Sequence, residues 1–313
     1  MKAILLNETG GVEQLVYQDI DKPTLKKGEI LVKIKAIGIN PADAKVRSNN
    51  DFLTSKLGAE RPAILGWDVS GIISEKGEDT DGFEPGDAVF GLLLSGRVYA
   101  EYVAVPANIM AHKPENISHE EAAAIPIAAI TAWNPLFNIG KIKQGNKVLI
   151  HAGSGGVGHF GIQIAKYLGA TVISTSSAKN RDFVLSLGAD QHIDYTSEKF
   201  YELLHDVDFV LDTIGGDTLA HSIDVVKENG MIITTIPGFS DEIKEKARKK
   251  NVYLSFGGTD MDNLRRDITS LADLAGKGLL KPHIYALYPF TEMAKAHIQI
   301  ESGRTVGKIV VTL

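Results

Sequence analysis

The residues with the clearest chemical meaning form one short stretch. Lys147-Val148-Leu149-Ile150-His151 is an apolar run of β character, and Ala152-Gly153-Ser154-Gly155-Gly156-Val157-Gly158 follows it. Gly153, Gly155 and Gly158 have the spacing G-x-G-x-x-G, and Ile162, Ile164, Ala165 and Leu168 then repeat as a helix does. A strand, a glycine turn and a helix in that order is the context in which this spacing holds a dinucleotide. Glycines let the backbone turn tightly and approach a pyrophosphate. The helix start offers unpaired N–H groups and a partial positive charge. Gly153, Ser154, Gly155, Gly156, Val157 and Gly158 are therefore the expected pyrophosphate site. The alternative is an ordinary glycine-rich loop between a strand and a helix.

Sheets that bind NAD place an Asp or Glu about 20 residues past the glycines, where it accepts hydrogen bonds from the ribose 2′-OH. Here the corresponding run is Ile173-Ser174-Thr175-Ser176-Ser177-Ala178-Lys179, with no acid. Ser176 and Ser177 offer hydroxyls, and Lys179 and Arg181 offer charge. That set suits a 2′-phosphate, which a carboxylate would repel. The expected cofactor is NADPH. Lys179 also reads as a solvated residue ahead of a helix.

These groups need elements to hold them. Glu29 to Ile37 alternates as a strand, with Ile30, Val32, Ile34 and Ala36 on one face and Lys33 and Lys35 on the other. Short runs follow at 68–74, 87–92 and 100–105, separated by turn signals, as in a small barrel or sandwich. Ser118 with Glu121 marks a helix start, and Ala122 to Ala132 reads as helical, with Pro126 and Pro135 as bends or breaks. Strands at 147–151, 171–175, 191–195, 208–212, 231–235 and 252–256 then alternate with helices at 156–168, 181–187, 218–228 and 241–249. Gly169, Gly188 and Gly230 fall where helix caps would be. This alternation predicts a parallel sheet covered by helices. A helix at 262–276, a strand at 282–287, a helix at 291–301 and a strand at 308–312 complete the chain.

Composition narrows the function. The chain has 313 residues, 44% hydrophobic and 23% charged, with a formal net charge of −6. Its one locally basic run, Lys244 to Lys250, reads as a solvated helix face, so nucleic acid is not an expected partner. No apolar run approaches the ~20 residues of a membrane span. The first residues read as a strand and not as a signal peptide. No cysteine is present, which removes disulfides, thiolate metal ligands and a cysteine nucleophile. A cytoplasmic location is expected.

Several segments together resemble the medium-chain dehydrogenase/reductase superfamily, in particular its zinc-independent quinone oxidoreductase and enone reductase branch. They are Gly38-Ile39-Asn40-Pro41-Ala42-Asp43, Leu65-Gly66-Trp67-Asp68-Val69-Ser70-Gly71, Gly86-Asp87-Ala88-Val89-Phe90-Gly91 and Tyr99-Ala100-Glu101-Tyr102-Val103. Ile130-Thr131-Ala132, the glycine turn, Ser186-Leu187-Gly188-Ala189-Asp190 and Gly303 to Val311 continue the likeness. The resemblance implies an α/β fold, a Rossmann doubly wound parallel sheet inserted in a β-rich GroES-like barrel domain. The expected division is 1–122 with 263–313 for the GroES-like catalytic domain and 123–262 for the NADP-binding domain. Zinc-dependent relatives carry a cysteine near position 40 and Gly-His-Glu near 66–68. This chain has Asn40 and Trp67-Asp68 there, so no metal is expected.

The resemblance also suggests roles. Asn40 stands where relatives approach nicotinamide and substrate, and its amide can bond a carbonyl or a ribose hydroxyl. Thr131 matches a position near the nicotinamide. Tyr195 matches a tyrosine near the ribose phosphate, or is a half-buried strand-end residue. Arg304 and Lys308 resemble C-terminal basic residues that approach the same phosphate, or are surface charges. Ile214, Ile236 and Phe256 lie at strand C-terminal ends, the edge where open α/β sheets bind ligands. Relatives that reduce enoyl groups carry a tyrosine soon after the Asn-Pro pair, and none occurs here between Asn40 and Gly66. Lys45 is the nearest cation and the candidate partner for a developing oxyanion, or else a solvated lysine.

The expected activity is hydride transfer from NADPH to a quinone or an α,β-unsaturated carbonyl, by a homodimer paired through its last nucleotide-domain strand. The alternatives are a zinc-free carbonyl or alcohol oxidoreductase and a non-catalytic NADPH-binding redox sensor.

Overall fold

The computed structural model describes residues 1–260 and 262–313. In chain order it begins with β1 (Lys2–Leu6), β2 (Leu15–Asp19), β3 (Glu29–Ile39), α1 (Pro41–Ser48), α2 (Asn50–Leu57), β4 (Ala63–Ile64), β5 (Asp68–Lys76), β6 (Ala88–Leu92), β7 (Tyr102–Pro106), β8 (Met110–His112) and α3 (His119–Ala124). The middle carries α4 (Pro126–Trp133), β9 (Lys147–Ile150), α5 (Gly158–Tyr167), β10 (Thr171–Ser176), α6 (Arg181–Ser186), β11 (Gln191–Asp194), α7 (Phe200–Leu203), β12 (Val207–Asp212), α8 (Gly216–Val225), β13 (Val226–Thr234), α9 (Asp241–Lys249) and β14 (Tyr253–Phe256). The chain ends with α10 (Leu264–Gly276), β15 (Ile284–Pro289), α11 (Met293–Glu301) and β16 (Lys308–Thr312).

Two compact units result. One joins residues 1–127 to the C-terminal stretch ending at Leu313, and the other is Ala128–Asp260. The first unit is therefore discontinuous in sequence, with the second inserted into it.

The first unit is β-rich. Its larger sheet runs β15-β16-β3-β5-β6-β8, with β7 also paired to β3. β3 is central and largely apolar, with Ile30, Leu31, Val32, Ile34, Ile37 and Ile39 all buried and only Lys33 exposed. It extends two residues beyond the alternating pattern of the sequence. Register then decides what meets at its end. Ile39 lies opposite Ile309, and Gly38 lies opposite both Val310 and Asp68. Asn40, Asp68 and Lys308 are thus brought to one place from three separate parts of the chain.

The second unit is a six-stranded, wholly parallel sheet in the order β11-β10-β9-β12-β13-β14. Counted within the unit this is 3-2-1-4-5-6, the doubly wound order. Val148, Leu149 and Ile150 are completely buried in its middle, as a strand covered on both faces requires.

One local expectation holds and one is corrected. The alanine run is interrupted at the first of its two prolines. It breaks into α3 and α4 at Pro126, which lacks the N–H needed to continue the ladder, and a π-helical turn follows at Asn134–Ile139. The helix expected over 218–228 ends at Val225, and Val226 turns directly into β13. Gly230 is consequently a strand residue and not a helix cap. Gly169 and Gly188 do follow helix ends, with φ of +85° and +104°.

Candidate functional site

The glycine turn is built by close approach. Gly153 N–H donates to the Thr175 carbonyl at 2.9 Å, tying the turn to the end of β10. A Cβ on Gly153 would stand 1.9 Å from Ser174 Oγ, and one on Gly158 would stand 2.2 Å from the Ala152 carbonyl oxygen. Those two glycines are required by the protein's own packing. Gly155 differs. Its Cβ would meet only the Ala152 carbonyl oxygen, at 3.3 Å. That contact is tight, but it is far lighter than those at Gly153 and Gly158, so the protein's packing demands glycine least here and a ligand group can approach the backbone. Gly155, Gly156 and Val157 are half-buried, and the ten-residue helix α5 starts at Gly158. The turn and the helix start fit a pyrophosphate on geometry and on charge.

At the end of β10 the expected phosphate ligands divide. Ser176 is buried, and its hydroxyl is 2.8 Å from His192 Nε2. That hydroxyl is committed inside the protein. Ser177 is half-buried, while Lys179 and Tyr195 are exposed. Parallel pairing sets Ser176 opposite Asp194, so Ser177 and Tyr195 follow side by side. Asn180, which the sequence reading overlooked, links the two halves of the site. Its Nδ2 donates to Ser154 Oγ at 3.0 Å and to Ser177 Oγ at 3.4 Å. Asp194 is the nearby carboxylate, and its oxygens already accept from Ala178 N–H and from Thr196 and Ser197. The Thr196 hydroxyl and amide hold it below the usual carboxylate range.

The C-terminal ends of β12, β13 and β14 form an apolar rim. Ile214 is 51% exposed and Phe256 47%, with Ile236 half-buried. Asp212 organises it, another residue missed in the sequence. Buried at the end of β12, it accepts from Ile214 and Gly215 N–H and from the Thr234 hydroxyl at 2.6 Å. A charged residue closing the apolar run Phe209–Leu211 was the available signal. Thr131 sits half-buried on α4.

In the first unit Asn40 is almost wholly buried, and it caps α1 ahead of Pro41. Its Nδ2 donates to Asp68 Oδ2 at 2.9 Å, and its Oδ1 accepts from the Lys308 ammonium, which also donates to the Ile39 carbonyl at 3.1 Å. Lys308 and Asp68 are 3.6 Å apart and both buried. Burial pushes the lysine down and the carboxylate up, and each opposes the other's shift. This corrects the expectation for Lys308. An ammonium enclosed among these oxygens has no free face for a ribose phosphate. Arg304 is exposed. Lys45, the expected oxyanion partner, is exposed on α1 and takes no part in this cluster.

A second polar line starts at the Asn40 backbone. Its N–H donates to Asp43 Oδ2 at 2.7 Å, and Asp43 Oδ1 lies 2.8 Å from Tyr99 OH. Tyr99 OH meets His297 Nε2 at 3.0 Å, His297 Nδ1 meets Arg47 Nε at 3.3 Å, and Arg47 bonds the Gly10 carbonyl and Glu301. A guanidinium only donates. His297 Nδ1 must therefore accept, its Nε2 must carry the hydrogen and donate to Tyr99, and the Tyr99 hydroxyl must donate to Asp43. Every bond in the line points toward Asp43. Burial raises Asp43 to about 7, against the pull of the Tyr99 and Asn40 donors. Burial, aided by the Arg47 charge, lowers His297 to about 3.

With this geometry in place, the comparisons with known proteins identify the family. A model of the alcohol dehydrogenase GroES-like domain matches residues 26–115 and one of zinc-binding dehydrogenases matches residues 187–311. The NAD(P)H oxidoreductase RTN4IP1, mitochondrial, of Danio rerio is 33% identical over 91% of this chain and 84% of its own length. The chain belongs to the medium-chain dehydrogenase/reductase superfamily, in its quinone oxidoreductase and enone reductase branch. The 2-methylene-furan-3-one reductase of Solanum lycopersicum is 34% identical over 99% of this chain and 79% of its own. The quinone oxidoreductase from Coxiella burnetii has a TM-score of 0.91 at 35% identity, covering 100% of this chain and 99% of that one. Among the described residues no group of three or more His, Asp or Glu could hold a metal ion, and no helix is long and apolar enough to cross a membrane.

Proposed function

We propose that this protein is an NADPH-dependent, zinc-independent reductase of quinones or α,β-unsaturated carbonyls. The observation that carries the reading is Gly155, the motif glycine that the protein's own packing crowds least, just ahead of α5. Gly153 to Gly158 would hold the pyrophosphate. Ser177, Lys179 and Tyr195 would meet a 2′-phosphate, with Asn180 steadying Ser154 and Ser177. Arg304 and Thr131 remain proposed contacts, and the backbone beside Ile214, Ile236 and Phe256 would line the rest of the cofactor. Bound there, NADPH supplies a hydride.

The chain's own contribution to chemistry is the amide of Asn40, which can donate to an acceptor's carbonyl oxygen as charge develops on it. Lys45 is retained only as a solvent-side cation. In place of zinc ligands, positions 40 and 68 hold an asparagine and an aspartate that bind each other. A polarised acceptor such as a quinone or an enone suits a site of this kind. The relatives above, named as quinone oxidoreductase, NAD(P)H oxidoreductase and furanone reductase, support the same substrate class.

One screen tests it: oxidation of NADPH and of NADH with naphthoquinones, alkenals and simple aldehydes. Faster turnover of quinones or enones with NADPH is the expected result. Preference for simple aldehydes would make it a carbonyl reductase instead, and tight NADPH binding with no turnover would make it a sensor. A homodimer joined along the β14 edge, where Tyr253 is 54% exposed, belongs to the same proposal and is read by light scattering. A cytoplasmic location does too, and is read by fractionation.

A further inference from the structure

An amide can present either its oxygen or its nitrogen, and an enzyme that needs a donor must prevent the wrong choice. The surroundings of Asn40 make that choice. The Lys308 ammonium has hydrogens and no acceptor, and it lies against Oδ1. The Asp68 carboxylate has acceptors and no hydrogen, and it lies 2.9 Å from Nδ2. Its other oxygen is fixed by Ile127 N–H at 2.8 Å. Turning the amide over would set donor against donor and acceptor against acceptor at once, among groups that are all buried.

We propose that Lys308 is a positioning residue for Asn40: together with Asp68 it locks the amide so that the second Nδ2–H, and not Oδ1, is offered to the carbonyl oxygen of the substrate. This inference rests on the proposed reductase activity and extends it. The lysine does more than orient. A cation on Oδ1 draws electron density along the amide and strengthens the remaining N–H as a donor. The site therefore recognises an acceptor oxygen. Lys308 acts through Asn40 and touches neither substrate nor cofactor.

The test compares the parent with Lys308→Met, which keeps most of the side chain without its charge or donor, and with Lys308→Met/Asp68→Asn. The double variant removes the buried carboxylate that the single one leaves unpaired, so it guards against loss of fold. Single-turnover hydride transfer from NADPH to a naphthoquinone should fall by about 10- to 100-fold in both. KM for the quinone should change less than about threefold, and NADPH binding, followed by its fluorescence, should stay within about twofold. Recovery of turnover together with melting temperature in the double variant would show that Lys308 only balances charge, and would overturn the proposal. So would turnover of Lys308→Met within about twofold of the parent.

A second readout does not need turnover. The Asn40 side-chain amide resonances, assigned by their loss in Asn40→Ala, should be one separated pair in the parent. They should shift or double in the double variant. Unmoved resonances would refute the lock even if the parent reduces no acceptor. A parent inactive across the panel but showing the shift would refute the reductase reading alone.

Discussion

Ser174 leaves no room for a side chain at Gly153: its hydroxyl oxygen is 1.9 Å from where a Cβ would stand, and Ile162 Cδ1 is 2.9 Å away. The contrast with Gly155 separates two reasons for a glycine in one turn. Gly153→Ala should lower stability by about 1–3 kcal/mol through overpacking, measured by urea denaturation. Gly155→Ala should melt within a few degrees of the parent yet bind NADPH at least about tenfold more weakly, because the methyl group would enter the space proposed for the pyrophosphate. Unchanged NADPH affinity in a folded Gly155→Ala protein would remove the main support for the cofactor site.

Lys179 supplies an exposed cation two residues past Ser177. Replacing it by aspartate should lower the ratio of kcat/KM for NADPH over NADH by about tenfold, since a carboxylate repels a 2′-phosphate and accepts from a 2′-hydroxyl. Steady-state kinetics with both cofactors decide this. A parent that uses NADH equally well would end the phosphate argument.

His297 and His151 are both buried and neutral, lowered by burial from 6.5 to about 3 and about 4. Between pH 6.5 and those values the unfolded chain binds protons that the native protein does not. Stability is therefore fully present above pH 6.5 and declines as the pH falls. At pH 4.5, His297 alone should cost about 2–3 kcal/mol. His297→Gln, which can still accept from Arg47 and donate to Tyr99, should flatten this slope in denaturant titrations from pH 7 to pH 4.5. The same slope in variant and parent would show that the acid loss arises elsewhere.

Tyr99→Phe should destabilise by about 1–3 kcal/mol, since a buried carboxylate loses a donor and His297 loses an acceptor. The deficit should have a pH signature. Burial holds Asp43 at about 7 against the Tyr99 hydrogen bond, so losing that bond raises the native value further. A carboxyl that holds its proton more tightly when folded loses stability as the pH rises through its native value. The deficit should grow from pH 6 to pH 9, and a constant deficit would exclude Asp43 as the titrating group.

Local patterns were legible in the sequence wherever one element carried its own signal. The strand, turn and helix around Gly153 announce themselves by period and glycine content, and β16 occupies the residues its β-branched run Ile309-Val310-Val311 suggests. The Val225-Val226 junction was not legible, because valine at the end of a helix and valine at the start of a strand look alike until a neighbouring strand supplies the pairing. The polar cluster was less legible still. Asn40 was picked out by resemblance, but Asp43, Arg47, Asp68, Tyr99 and His297 meet only through strand register and the docking of α11. Lys308 was read as a phosphate contact, or else a surface charge, for the same reason. Nothing within a short window says that this lysine stands opposite Asn40.

Because Arg47 cannot give up its proton, the line through His297 and Tyr99 behaves as an electrical insulator. Each bridge is already polarised inward, and a proton arriving from the Glu301 side finds the first acceptor, His297 Nδ1, occupied by the guanidinium. Such a wire conducts nothing to Asn40. In the proposed reaction, the proton that protonates an enolate or a hydroquinone anion would therefore come from the side on which the acceptor enters, coupling its delivery to water reaching the product and not to the interior of the fold.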